Sequence, residues 1–457
     1  MENQVVNLLE PVGLIHRHLT VGLCRRVHRQ TRKKERQRKW TLYYLARFWI
    51  AVILRAPASL TQALEDSPLG KDGLFPRVRA TSEAFFQKCR DLSWEFFLAL
   101  YQGFTESIWG EAPRVYAQSL GKVWERFPAI VAVDGSKCDA IRKRLKLLWN
   151  EKGVVLPGCI TAFYDLARGI TRTVLFSPDA AQHELPRAIA MLKLLPERSL
   201  VIGDRLYALM EFFRALTGAK LFGLFRRNKL IKLRVVEVLS RKQGSRAFLE
   251  DALVEAGSGQ TGAKVILRRI RYRCNGFRRD LITNVLDPKK LSAEEALQIY
   301  PMRWGIERLF FDLKEILNLH SFYAANPNAV AMQVYAAAIV HTAFRVAQAR
   351  IAENHGITPE RISPAKLYPR LAAASCAVVE VEVYHQELDR LNPGKRRLIQ
   401  TLVRPDLNTF AFARTTLKAI MVEHRKGGRR KKRFHPARRR WKSLSHVKGF
   451  ENIRKLS

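Results

Sequence analysis

The sequence predicts an α/β protein: a mixed sheet with flanking helices, a β-rich insertion late in that core, a helical region before it, and a helical, basic region after it. Three observations lead there. From Phe127 onward, short apolar runs bounded by turn residues ("AIVAVDGS", "CITAFYDL", "ITRTVLF") are followed by a helical "HELPRAIAMLKLL" and then another run, "SLVIGDRLY". Residues 1–125 instead carry helical periodicity in "TLYYLARFWIAVIL", "ATSEAFFQKCRDL" and "WEFFLALYQGF", broken by Pro11, Pro57, Pro68, Pro76 and Pro113. Between about 229 and 290 the β candidates "RVVEVLS", "AKVILRRIRYRC" and "RDLITNVL" return without an intervening helix.

In chain order these signals divide 457 residues, too many for one ordinary core, into a helical domain at 1–125, a mixed-sheet domain at 126–335 containing the insertion, a helical region at 336–423 and a tail at 424–457. An Ala-rich apolar helix after Pro327, running to about His355, is expected to buttress the sheet. The charge is lopsided: 80 Lys and Arg against 41 Asp and Glu give +39, which points to a polyanion, nucleic acid first, as partner. Ten of those cations fall between Arg17 and Lys39, so the helical domain is expected to bind DNA, and fourteen fall in the tail, which should order only on an anion. No apolar run reaches the roughly 18 residues of a membrane span, so a membrane partner is not expected. Six cysteines without a C-x-x-C pair support neither a zinc site nor a disulfide scaffold.

The chemistry lies in acidic residues at strand ends. Asp134 closes "IVAVD" and Asp204 follows "LVIG", two strands that can deliver both carboxylates to one sheet edge. Later, "YPMRWGIERLFFDLK" places Tyr300, Arg303, Glu307 and Lys314 within one narrow stripe of a helix, with Met302, Ile306, Leu309, Phe310 and Leu313 towards the remaining surface. Ser292 and Glu295 form a capping box ahead of it, and Pro301 should kink or restart the helix. Three converging carboxylates would suit Mg²⁺ or Mn²⁺, and two such ions would support an in-line displacement at phosphorus. Arg303 and Lys314 could then hold flanking phosphates. Lys137 and Arg205, beside the two aspartates, are further candidate phosphate contacts, whereas His183 either touches substrate or starts a helix. Arg226, Arg227, Lys229, Arg268, Arg269, Arg271 and Arg273 would line either a solvated edge or a DNA track on the insertion.

The spacing Tyr300, Arg303, Glu307, Lys314, with Trp304 in "RWGIE", resembles the Y-R-E-K signature of DDE transposases of the insertion-sequence-four type. "AVDGS" and "VIGDRLY" stand upstream in the order that such enzymes have. The resemblance covers about 128–325. It implies an RNase H-like core with the β-rich insertion between the second Asp and the Glu, and Asp134, Asp204 and Glu307 as catalytic metal ligands for two Mg²⁺ or Mn²⁺ ions. It further implies Tyr300, Arg303 and Lys314 as the DNA-gripping set, with Trp304, Arg205, Lys137, Arg226 and Arg227 as additional DNA contacts. The function implied is cut-and-paste transposition by a homodimer that pairs two inverted-repeat ends; the alternatives are a catalytically inactive, transposase-derived DNA-binding protein and another RNase H-like nuclease. The protein is expected to be cytoplasmic and nucleoid-associated, since its first residues lack a basic start followed by an apolar block. Relatives that form hairpin ends stack a flipped base on a tryptophan of the insertion. No Trp lies between Asp204 and Arg303 here, so Phe225, Phe248, Tyr272 or Phe277 would have to substitute.

Overall fold

The computed structural model describes residues 4–31, 39–69, 75–139 except 77, 141, 148, 150, 153–257 except 246, 264–375, 414–422 and 441–446. Its centre is one nine-stranded sheet. We number the strands β1 (Ile130–Lys137), β2 (Cys159–Asp165), β3 (Ile170–Ser177), β4 (Leu200–Gly203), β5 (Phe222–Arg226), β6 (Lys232–Gln243), β7 (Ala247–Gly257), β8 (Val265–Cys274) and β9 (Phe277–Thr283). Their spatial order is β3-β2-β1-β4-β5-β9-β8-β7-β6. β1 pairs antiparallel with β2, and β2 with β3, while β4 runs parallel to β1 and β5 parallel to β4. These first five strands have the mixed arrangement of an RNase H-like core.

The central strand shows why the sheet is two-sided. Ile130 and Ala132 enter one apolar core, and Val131 and Val133 enter the other, as the period-2 alternation of a fully buried strand requires. Helices cover both faces. The first core is closed by α3 (Leu42–Arg55), α6 (Glu95–Ile108) and α11 (Pro327–Asn354). The second is closed by α7 (Glu184–Met191) and α8 (Met210–Gly218). In the N-terminal helices, α1 (Leu9–His18), α2 (Val21–Thr31), α4 (Leu60–Leu69) and α5 (Ser82–Asp91) complete the set. Thr41 caps α3 by accepting the Tyr44 N–H at 3.2 Å, and Trp40, Phe48 and Phe85 cluster with centroids 4.7–5.4 Å apart.

α11 is the hub. It packs on α1, α3, α6 and β3, and it runs unbroken past position 335, so the domain boundary drawn there cuts a single helix. Among the described helices it alone is long and apolar enough to cross a membrane, yet it lies wholly inside the fold. It also carries buried Gln333, His341, Arg345 and Gln348. Arg345 donates to the Gly169 carbonyl, Gln348 and the hydroxyls of Tyr116 and Tyr164, so the helix is tied to β2 and to the segment before β1.

The insertion differs from expectation in two ways. β7, "AFLEDALVEAG", was not among the β candidates, because Glu250 and Asp251 interrupt its apolar pattern. Those two carboxylates are buried and engage the arginines of β8: Asp251 takes Arg268 in a bidentate pair at 2.6–2.7 Å, and Glu250 takes Arg269 at 2.7 Å. Arg268 and Arg269 are therefore internal partners, not part of a solvated edge or a DNA track. The insertion is continuous with the core, since β9 pairs antiparallel with β5 and continues the core sheet. At the other end of the chain, the stretch of seven residues at 32–38 and most of the 376–457 region lie outside the described residues. Part of the tail is ordered on the protein itself: Trp441–Ser443 pairs parallel with Val154–Leu156, and the Ser443 hydroxyl accepts the Ala180 N–H.

Candidate active site

β1 is buried from Ile130 to Val133 and half-exposed from Asp134 onward, so its polar half emerges at one edge of the sheet. β4 runs beside it in parallel, with Ile130, Val131 and Ala132 opposite Leu200, Val201 and Ile202. Carrying that register two residues further sets Asp134 beside Asp204. Each aspartate is fixed by a local backbone bond: Asp134 Oδ1 accepts the Gly135 N–H at 2.9 Å, and Asp204 Oδ1 accepts the Leu206 N–H at 2.6 Å.

The third acid arrives from the segment after the insertion. α9 (Ala293–Ile299) begins with the expected capping box, both reciprocal bonds between Ser292 and Glu295 being present. Tyr300–Arg303 forms a 3₁₀ turn around Pro301, and α10 (Trp304–Phe311) starts anew, as the proline required. α10 lies on β1 and β2. Gly305 makes that approach possible: a Cβ there would stand 3.1 Å from the Tyr164 ring on β2. Ile306, Leu309, Phe310 and Leu313 are buried beneath, leaving Arg303 and Glu307 towards Asp134. Arg303 Nη2 donates to Glu307 Oε1 at 2.8 Å, while Nη1 lies 3.5 Å from Asp134 Oδ2. One guanidinium thus stands between two of the three carboxylates. Glu307, Tyr300 and Asp134 hold Arg303 above its ordinary pKa although burial works against its charge.

Tyr300 and Lys314 divide the expected stripe. Tyr300 is 8% exposed, burial pushes its hydroxyl up, and Arg303 pulls it back, so it stays with the group. Lys314 leaves it. A π-helical turn, Asp312–Ile316, follows α10, and from it Lys314 Nζ donates to the Lys137 carbonyl at 2.7 Å and to Asp139 Oδ1 at 2.9 Å. Trp304 is 63% exposed, with the Arg303 guanidinium 5.4 Å from its ring centroid. Lys137 donates to the Ala180 carbonyl, and Arg227 lies 3.4 Å from Asp280, so neither points a free cation at the edge. Arg205 and Arg226 are exposed. His183 caps α7 by accepting the Leu185 N–H, the helix-start alternative. Of the four proposed stacking residues, Phe225 is fully buried and Phe277 is 50% exposed, while Phe248 and Tyr272 are half-buried. Arg279 lies over both Phe277 and Tyr300, at 5.0 and 5.4 Å, and so links the insertion to the edge.

A fourth acid was not among the sequence candidates. Glu184, the first residue of α7, lies so close to Gly135 that a Cβ at that position would fall 1.8 Å from Glu184 Oε1. Tyr207 donates to Glu184 Oε2 at 3.2 Å. Both partners sit beside the aspartates in sequence, in "VDGS" and "GDRLY", and an acid directly after His183 was the available signal. Burial raises Glu184, with Tyr207 and Arg187 opposing. Asp134 is pushed up to about 7, first by burial, then by Glu184 and Asp204, against the Gly135 N–H and Arg303. The edge therefore holds more negative charge than Arg303 balances. Hard oxygen donors in that condition fit a divalent cation by chemistry. Among the described residues, however, no three His, Cys, Asp or Glu side chains are close enough to hold one as arranged.

Residues 130–343 match the family model described as a transposase DDE domain, a span from β1 into α11 that contains all four acids. The chain is 32% identical over 151 residues to the protein named "Putative transposase y4zB" of Sinorhizobium fredii (strain NBRC 101917 / NGR234). That match takes in 32% of this chain and spans 42% of the relative's length. Among solved structures, a piggyBac transposase synaptic complex with hairpin DNA aligns over 88% of this chain and 86% of that one, at 10% identity and a TM-score of 0.38. A likeness that loose carries no weight for side-chain roles.

Proposed function

We propose that the chain is a DDE transposase that hydrolyses DNA at the ends of its own mobile element and transfers the 3′ ends into target DNA, with Asp134, Asp204 and Glu307 as its catalytic carboxylates. The observation that carries this reading is the convergence of two parallel strand ends and α10 at one sheet edge, inside the segment that matches a transposase DDE domain. Two Mg²⁺ or Mn²⁺ ions held there would activate a water or a 3′ hydroxyl and stabilise the leaving oxygen.

The protein's own groups supply the rest. Arg303 is the residue that moves: to let Asp134 and Glu307 share a cation it must leave the gap between them, and a phosphate flanking the scissile bond is its natural new partner. Lys314 does the same by exchanging Asp139 for phosphate. Tyr300 supports Arg303, and exposed Trp304 and Phe277 offer faces on which an unpaired base can stack. Glu184 is placed to keep Asp134 and Asp204 under mutual charge pressure. A homodimer pairing two inverted-repeat ends completes the reading, with the exposed Arg205 and Arg226 along the DNA path.

Incubating the purified protein with Mg²⁺ and DNA carrying the inverted repeats tests it. Nicking at the ends is expected, and Asp134→Ala, Asp204→Ala or Glu307→Ala should each abolish it while DNA binding persists. Binding without cleavage by the intact chain would instead identify a transposase-derived DNA-binding protein. Cleavage that survives all three substitutions would end the assignment of the carboxylates.

A further inference from the structure

At the end of β1 opposite Asp134 lies a second cleft, of about 410 Å³. It is walled by Arg114, the segment Trp124–Ile130 including Glu125 and Arg126, the turn after β2, and Arg198. Ile130 lines it, so it lies about 13 Å along the strand from Asp134 at ~3.3 Å per residue. None of the groups assigned to the catalytic edge reaches it.

Of the four arginines that line it, Arg126 is taken up by Glu295. Arg114 lies over the Trp124 ring at 5.6 Å; Arg168 and Arg172 lie over Trp109 at 4.7 and 4.4 Å. Among the described residues, no carboxylate comes within ion-pair distance, 4.0 Å, of Arg114, Arg168 or Arg198. Asp165, which also lines the cleft, is 1% exposed and spends its Oδ1 on the N–H groups of Ala167 and Arg168. Arg168 Nε is buried without a hydrogen-bond partner. Burial lowers the Arg168 pKa, and Arg114 and Arg172 lower it further while Asp165 opposes them. Arg198 is held at φ +65°, a left-handed backbone that a non-glycine residue adopts at a cost, with its N–H fixed on the Lys220 carbonyl at 2.8 Å. Three guanidiniums without ion-pair partners around a half-buried space, two of them stacked on indole rings and one with an orphaned donor, suit an anion with several acceptor oxygens.

We propose that this cleft binds a backbone phosphate of a DNA segment other than the one at the catalytic edge. The inference rests on the DNA partner proposed above but not on the assignment of the catalytic carboxylates. The aromatic wall and the open side suit a nucleotide unit within a strand, with the phosphate on the arginines and the sugar and base along Trp124. Because β1 connects the cleft to Asp134, such a segment would be held at a fixed distance from the strand being cut.

The test uses the full chain carrying Glu125→Cys, a change at an exposed residue on the rim. The alkylation rate at that cysteine is read by peptide mass spectrometry, with and without a duplex of about 30 base pairs and, separately, with inorganic pyrophosphate. The duplex should slow alkylation several-fold, and adding Arg114→Gln and Arg198→Gln, both exposed positions, should restore the free rate. Protection by pyrophosphate but not by duplex would replace DNA with a small phosphate ligand. Equal rates in every arm, or protection that survives the two glutamines, would overturn the proposal. Loss of nicking with protection intact would remove the catalytic reading and leave the cleft standing.

Discussion

At the scale of single residues, Arg303 is the telling one, because it sits between the carboxylates of Asp134 and Glu307, which are proposed to share a metal ion. Removing it should separate its two roles. Arg303→Ala is expected to tighten Mn²⁺ binding to the DNA-free protein by up to about fivefold, in line with the ~1 kcal/mol of a partly exposed ion pair, while lowering DNA cleavage. Electron paramagnetic resonance of Mn²⁺ measures the first, and weaker binding would mean that the guanidinium organises the carboxylates instead of occupying their gap. The candidate residues themselves were legible because strand-end acids and a helical stripe are short-range patterns. Glu184 was not, since its role depends on Gly135 and Tyr207, residues that share its neighbourhood only after β1, β4 and α7 have packed. Lys314 shared the stripe on an ideal α-helix, and the π-helical turn then carried it towards Asp139.

At the scale of elements, α11 is buried over most of its length and carries a titratable group, His341, with no hydrogen-bond partner. His341 is 1% exposed, and its Nε2 lies 3.6 Å from Asp312, beyond hydrogen-bond range. The Tyr368 ring and the Arg345 charge also face it. Burial pulls its pKa below the ordinary histidine value, and the Asp312 attraction does not make up the difference. The sign follows from proton counts: below about pH 6.5 the unfolded chain binds a proton at this histidine and the native chain does not, so stability falls as pH drops. The expected slope for this one group approaches ~1.4 kcal/mol per pH unit. Urea unfolding from pH 7 to 5 should show a shallower loss in His341→Leu than in the unchanged chain, and equal slopes would mean that the histidine is protonated in the fold. α11 was readable as a long Ala-rich helix from its composition. β7 was not, because burial of Glu250 and Asp251 depends on arginines of a neighbouring strand, and a local hydrophobic pattern carries no information about partners across a sheet.

For the whole molecule, charge and architecture play separate parts. The +39 excess concerns partners, whereas a few internal pairs concern the fold. Asp251 and Arg268 are 3% and 0% exposed, so Asp251→Ala strands a guanidinium in the interior and is expected to cost about 3–5 kcal/mol in unfolding free energy. Chemical denaturation reads that loss directly, and a change below ~1 kcal/mol would mean that water reaches the arginine.

Because the β5 to β9 ladder joins the insertion to the strand next to β4, the outer hairpins have no hinge of their own at that seam. A pull applied to them is passed through main-chain bonds to the strand adjoining Asp204's, so strain at the periphery would reach the edge that carries Asp134 and Asp204 as a change in its alignment.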